Sequence, residues 1–214
     1  MDIKAVHFVA LTEEGGALAA RLATETGGVW HGMDGRMGAL APDLTFTSAV
    51  DHIRDLYLSG KPVVGICAAG ILIRAVAGHL HDKWVEPPVL SISDDGKVVV
   101  PLLGGHHGGN DLAMRLAAIL ETEPAITTAG DRRFGLALDA PPPPFALANP
   151  EQAKKVMAAL IGGKDVQLQV DLPDDLSVVA AAWQDWLSPL SPTENSAAIT
   201  LALTLKPADH IDAD

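Results

Sequence analysis

One cysteine in 214 residues, Cys67, leaves no partner for an internal disulfide, which fits a reducing compartment. Long apolar runs are missing too: none approaches the roughly 20 residues that a bilayer-spanning helix needs. The N-terminus, Met1 to Val6, lacks the basic region, apolar stretch and cleavage site of a secretory signal. Positive charge is scarce, with 15 Lys and Arg against 27 Asp and Glu and a formal charge of −12. That balance argues against nucleic acid, because neutralising phosphates takes clustered Lys and Arg. His79, His81, His106 and His107 have no cysteine partners, and their spacings form no familiar zinc pattern. No protein-bound metal is expected. Internal repeats are absent. The expectation is a soluble cytoplasmic protein without a membrane segment.

What is present is an apolar content of 48%, enough for a real core in one large domain or two small ones. Ala5–Leu11, Val29–His31 and Pro62–Cys67 read as short buried strands. Between them, Thr12 caps a helix running toward Thr26, and Ser48–Leu58 forms another. Strands alternating with helices predict an α/β fold, a three-layer sandwich on a mostly parallel sheet. Pro88–Ser93 and Lys97–Leu103 flank Asp94-Asp95-Gly96, a hairpin signal. Asn110–Leu120 is an amphipathic helix and Pro124–Thr128 a last strand. Pro141–Pro144 suits neither regular element. It marks a linker over 140–145 between a first domain, 1–139, and a small α+β domain, 146–207, ahead of an acidic tail, 208–214. In the second domain, Asn149-Pro150 opens a helix over Glu151–Leu160, and Asp165–Val170 and Ala197–Leu205 are strands.

The densest chemistry lies in Pro101-Leu-Leu-Gly-Gly-His-His-Gly-Gly-Asn-Asp-Leu-Ala113. Gly104, Gly105, Gly108 and Gly109 surround two imidazoles that titrate near neutral pH, at a turn from strand to helix. A side chain there is expected on the carboxyl edge of the sheet, where open α/β sheets bind ligands. His106 is either a proton-moving group or a hydrogen-bonded structural histidine, and the same alternative holds for His107. Gly108, Gly109 and Asn110 offer backbone N–H groups to an anion, or Asn110 simply caps the helix. Arg74, after Gly70 at the opening of a helix, suits bidentate carboxylate binding or a surface salt bridge. Asp82-Lys83 is a solvated helix end or a ligand contact. Thr127, Thr128 and Asp131 can orient water or form an Asx turn. Cys67 reads as a small buried hydrophobe.

Gly70-Ile-Leu-Ile-Arg-Ala-Val-Ala77, Asp82-Lys83, Pro101-Leu-Leu-Gly-Gly-His106, Asn110 and Ile126-Thr-Thr-Ala-Gly-Asp131 stand in an order that resembles the CbiG family. Those proteins are the cobalt-precorrin-5A hydrolases of cobalamin biosynthesis. The resemblance runs from about Val9 to about Leu205. It implies hydrolysis of the δ-lactone of a (cobalt-)precorrin-5A macrocycle with release of acetaldehyde. His106, His107 and Asp131 would then be catalytic. Gly70, Arg74, Lys83, Gly104, Gly105, Gly108, Gly109, Asn110, Thr127 and Thr128 would bind substrate. No cofactor is implied, because cobalt, if present, is carried by the tetrapyrrole. Typical members continue into a further C-terminal domain. The wording of Cys67–Arg74 and Leu147–Pro150 is similar to the form fused ahead of a precorrin methyltransferase, so a fused or associated methyltransferase is also implied. The alternatives are a non-catalytic tetrapyrrole-binding module or a truncated part of such a fusion.

Overall fold

A computed structural model describes residues 6–82, 85–128, 134, 138, 141, 142, 144–193 and 198–205. The chain divides into two units, Met1–Ile126 and Thr127–Asp214, each with its own hydrophobic core. The division falls ahead of the Pro141–Pro144 run, and Leu138 belongs to the core of the second unit.

In the first unit, β1 (His7–Ala10), β2 (Val29–Met33), β3 (Leu44–Phe46), β4 (Val63–Ile66), β5 (Val89–Ile92) and β6 (Val99–Leu103) form one sheet. Their order is β3-β2-β1-β4-β5-β6. The first five strands are parallel, and β6 runs antiparallel to β5. The helices are α1 (Glu13–Thr26), α2 (Ala49–Leu58), α3 (Ala69–Val76) and α4 (Gly109–Ile119).

Strand side chains alternate between faces, and the two faces have separate cores. Phe8, Ala10, Val64, Ile66, Leu90 and Ile92 pack with Leu22 of α1 and Leu112 and Leu116 of α4. Val9, Val63 and Val89 pack with Ile53 and Leu56 of α2 and Leu72 and Val76 of α3. Fully burying a Phe or Leu of this kind is worth about 1.5–3 kcal/mol. The result is the three-layer sandwich expected. Helix starts follow the expected chemistry: Thr12 Oγ1 accepts from the Gly15 N–H at 3.2 Å, and Ser48 Oγ accepts from the Asp51 N–H at 3.4 Å.

The turn after β5 decides the direction of β6. The Gly96 N–H donates to the Ser93 carbonyl at 2.9 Å, and Gly96 takes φ +71°. Ser93 Oγ donates to Asp95 Oδ1 at 2.6 Å, which also accepts the Lys97 N–H at 3.1 Å. A connection this short joins only antiparallel neighbours. Beyond α4, the strand expected over 124–128 is reduced to a single parallel bridge, Pro124 to Val99. Arg74 lies in the last turn of α3 rather than at its opening.

The second unit is the small α+β domain foreseen. It holds α5 (Pro150–Ile161) and α6 (Ser177–Leu187). Its two strands, β7 (Val166–Asp171) and β8 (Ile199–Thr204), pair in parallel. Leu160, Val166, Trp183 and Leu187 anchor its core.

Gly104 closes β6 at φ +71°, and a Cβ there would stand 2.5 Å from the Pro88 nitrogen. Gly104→Ala is expected to lose both the left-handed backbone, at roughly 1–2 kcal/mol, and the close packing on Pro88. Gly60→Ala, at φ +72° with open space around it, should lose only the first. Urea midpoints of the two variants check this ordering; equal losses would contradict it.

Candidate functional site

Two edges of the first unit hold the chemistry-bearing residues. At the carboxyl edge, β1 and β4 are neighbours whose onward connections diverge: one leads through α1 to β2, the other through α3 to β5. Divergence of this kind opens a crevice at the strand ends, the usual ligand position in such sheets. Here it holds a cavity of about 430 Å³. Its walls are Leu11 and Thr12 after β1, Ile66 at the end of β4 with Cys67 and Ala68 after it, and Ile71 of α3. Ser91, Ser93, Asp94, Val98 and Val100 of the β5–β6 hairpin complete it.

Most polar groups of this cavity are already engaged. Ser91 Oγ donates to the Cys67 carbonyl at 2.7 Å, and Ser93 Oγ is held in the hairpin turn. Thr12 Oγ1 caps α1. Burial pushes the Cys67 thiol up to about 11, so it stays neutral near pH 7. Asp94 is exposed at the rim and has no hydrogen-bond or ion-pair partner among the described residues. α3 opens at Ala68 with no side-chain cap. The Arg74 guanidinium folds back along α3, with Nη1 3.3 Å from where a Cβ on Gly70 would lie.

The amino edge carries the glycine–histidine loop. β6 is antiparallel, so its carboxyl end, Leu103, pairs with Val89 at the start of β5. The loop that follows therefore lies on the edge opposite the cavity, and the expected position of His106 on the carboxyl edge is corrected accordingly. Gly104 packs on Pro88, and Gly105–His107 form a 3-10 turn. Gly108, at φ +84°, is the N-cap of α4. The His107 and Gly109 N–H groups both donate to the Gly104 carbonyl, at 2.8 and 2.9 Å. Asn110 is therefore the second residue of α4, buried, rather than its cap. The Gly109 N–H is committed to the loop itself, which removes it from an anion site there. His107 is exposed, and His79 and His81 lie on the segment that returns the chain from α3 to this edge.

The residues expected to converge are thus divided. Gly70 and the Arg74 guanidinium sit at one edge; Gly104, Gly105, His106, His107, Gly108, Gly109 and Asn110 sit at the other. Four-residue strands separate them by about 13 Å, at roughly 3.3 Å per residue. Thr127 and Thr128 are exposed residues of the second unit. Lys83 and Asp131 lie outside the described residues. Among the described residues no group of three or more His, Cys, Asp or Glu is placed to hold a metal ion.

Residues 51–131 match the family described as Cobalamin synthesis G N-terminal. That match takes in less than half of the chain. A cobalt-precorrin-5A hydrolase from Priestia megaterium is 39% identical over 85 residues, 39% of this chain and 23% of that protein. A second, from Salmonella typhimurium, is 34% identical over 119 residues, 49% of this chain and 34% of that protein. The chain thus spans about a third or less of the length of the curated relatives it matches. Among solved structures, a cobalamin biosynthesis protein G homolog from Sulfolobus solfataricus aligns with a TM-score of 0.44 at 20% identity, covering 80% of this chain and 52% of that one. The Cobalamin synthesis G N-terminal segment takes in α3, the β5–β6 hairpin with Asp94, and the glycine–histidine loop. No described helix is long and apolar enough to cross a membrane.

A row of three histidines escaped the sequence reading, and only His52 of the three falls within the family segment. His7 Nδ1 lies 2.9 Å from His31 Nε2, and His31 Nδ1 lies 3.0 Å from His52 Nε2. Phe46 stacks on His52 with ring centroids 4.5 Å apart. His31 is buried in β2, and desolvation, then the neighbouring His52, His7 and Lys61, lower it to about 4, against a smaller opposing pull from Asp43. His7 and His52 are lowered too, each mainly by burial.

A histidine that stays neutral when folded but takes a proton when unfolded destabilises the fold as pH falls. Stability should therefore be full above about pH 6.5 and decline toward about pH 4, by on the order of 3 kcal/mol from His31 alone. His31→Gln should flatten that slope. Urea midpoints measured between about pH 7 and about pH 5 check it; an equal slope in the variant would contradict it.

Proposed function

We propose that the chain acts in cobalamin biosynthesis as a hydrolase on a precorrin-5A-type macrocycle, opening its δ-lactone and releasing acetaldehyde. The observation that supports this reading most is the match of residues 51–131, together with two relatives named cobalt-precorrin-5A hydrolase.

Opening the ester requires a group that takes a proton from water, donors for the oxyanion, and cations to grip peripheral carboxylates. With a formal charge of −12, attraction for a polycarboxylate has to be local. Arg74 supplies a planar fork, exposed and without an ion-pair partner among the described residues. Lys83, His79 and His81 are proposed to add to the grip. The resemblance nominates His106, His107 and Asp131 to move the proton; a lactone held at the carboxyl edge would lie beyond the reach of His106 and His107, which stand at the other end of strands about 13 Å long. No cofactor enters this proposal, because the macrocycle itself accepts the electron pair freed by carbon–carbon cleavage; cobalt, where present, arrives inside the substrate. A cytoplasmic location and an associated precorrin methyltransferase belong to the same proposal.

The test is incubation of the full chain with precorrin-5A or its cobalt form, with acetaldehyde trapped by an NADH-coupled reductase. One acetaldehyde per macrocycle consumed is the expected outcome. A spectral change on binding without acetaldehyde would replace the hydrolase with a tetrapyrrole-binding module.

A further inference from the structure

We infer that the carboxyl-edge cavity seats the lactone-bearing rim of the macrocycle and that Asp94 activates the water that opens it. The inference rests on the hydrolase reading for its substrate, and on the cavity for its geometry.

At about 430 Å³ the cavity lies in the lower part of the range for small-molecule sites, roughly 300–1,000 Å³. It takes one rim of a tetrapyrrole, not the whole ring with its side arms. Its floor and walls are largely aliphatic, from Leu11, Ile66, Ile71, Val98 and Val100. Such a lining penalises a buried carboxylate. The Asp94 carboxylate at the rim repels one further. A δ-lactone is an acid arm with its charge removed, so it is the acyl group of this substrate that the lining accepts. The charged arms stay outside, where Arg74 folds back along α3.

Elimination assigns the base. The Thr12, Ser91 and Ser93 hydroxyls are held by the fold, and the buried Cys67 thiol remains protonated. Asp94 is the one ionisable group lining the cavity whose oxygens have no partner among the described residues. The ring seated over the mouth excludes bulk water from that carboxylate. Across the mouth, α3 opens without a side-chain cap; the Ile71 N–H is taken by the Ala68 carbonyl at 2.9 Å, so the Ala69 and Gly70 N–H groups are the ones that can hold the oxyanion.

The chemistry balances without a further reactant. Asp94 takes a proton from water as the water oxygen bonds to the lactone carbonyl carbon. The tetrahedral adduct collapses with cleavage of the ring C–O bond, giving a carboxylic acid and an alkoxide. As the alkoxide becomes the aldehyde carbonyl, its bond to the macrocycle breaks. The electron pair passes to the macrocycle, which takes up the proton held by Asp94.

Two measurements on the full chain test the seat and the base separately. Cys67 is the single cysteine and lines the cavity, so its slow alkylation by iodoacetamide at mildly alkaline pH, through the small thiolate fraction, reports occupancy. δ-Valerolactone should slow that alkylation, and 5-hydroxypentanoate, its charged ring-opened form, should not. No protection by the lactone, or equal protection by 5-hydroxypentanoate, overturns the seat. Asp94→Asn keeps the turn geometry and should lower kcat about 10²–10⁴-fold with KM little changed. Glu123→Gln, an exposed carboxylate elsewhere, controls for loss of charge. Asp94→Asn with wild-type kcat overturns the base. If the wild-type chain releases no acetaldehyde, the hydrolase reading and the base fail together, and the lactone seat is decided by the alkylation result.

Discussion

The β5–β6 turn is the constraint on which the rest of the first unit depends. Four residues, Ser93 to Gly96, close it through the Ser93 carbonyl, the Ser93 hydroxyl and the Asp95 carboxylate. Because the connection is too short for a crossover, the chain reverses and β6 carries it back to the amino edge. That reversal supplies Val98 and Val100 as a wall of the cavity. It also sends α4 back along the same face as α1, where Leu112 and Leu116 join Leu22 in one core. The glycine–histidine loop lands on Pro88 for the same reason.

The cavity, in turn, depends on the divergence of β1 and β4. α1 and α3 leave the sheet on opposite faces, so no helix covers the gap between Thr12 and Ala68. The hairpin turn overhangs that gap from one side and brings a carboxylate with it. Folding thus brings Leu11, Ile66 and Ile71 up to a free acid that is distant from them in sequence.

Much of this was legible in the residues. Alternating apolar strands and capped helices over 5–66 announced the sandwich, and Asp95-Gly96 announced the hairpin. β3 escaped because three residues, Leu44–Phe46, are too few for a period to show. The strand expected at 124–128 survives as one bridge to the edge strand β6, and Pro124, at the bridge, has no N–H to give to a ladder. The site was read less well, although the clue was present. A hairpin before the glycine–histidine loop implies that β6 ends at the opposite edge from β5, so the loop could have been assigned to the amino edge without coordinates. The cavity itself was not legible, since Leu11, Cys67, Ser91 and Asp94 are ordinary residues until the sheet order joins them. The His7–His31–His52 contacts depend on register between β1 and β2 and on the seating of α2, neither of which leaves a local mark.

That histidine row has a property that follows from counting hydrogens. A neutral imidazole has one N–H and one lone pair, and His31 uses both nitrogens on other histidines. It can therefore donate toward His7 while accepting from His52, or the reverse, but never donate to both while neutral. The row has two mirror-image proton orders over the same heavy-atom positions. Passing from one to the other requires every N–H in the line to change nitrogen together. A polar wire with a sense of direction is thereby laid between the first strand and the second helix.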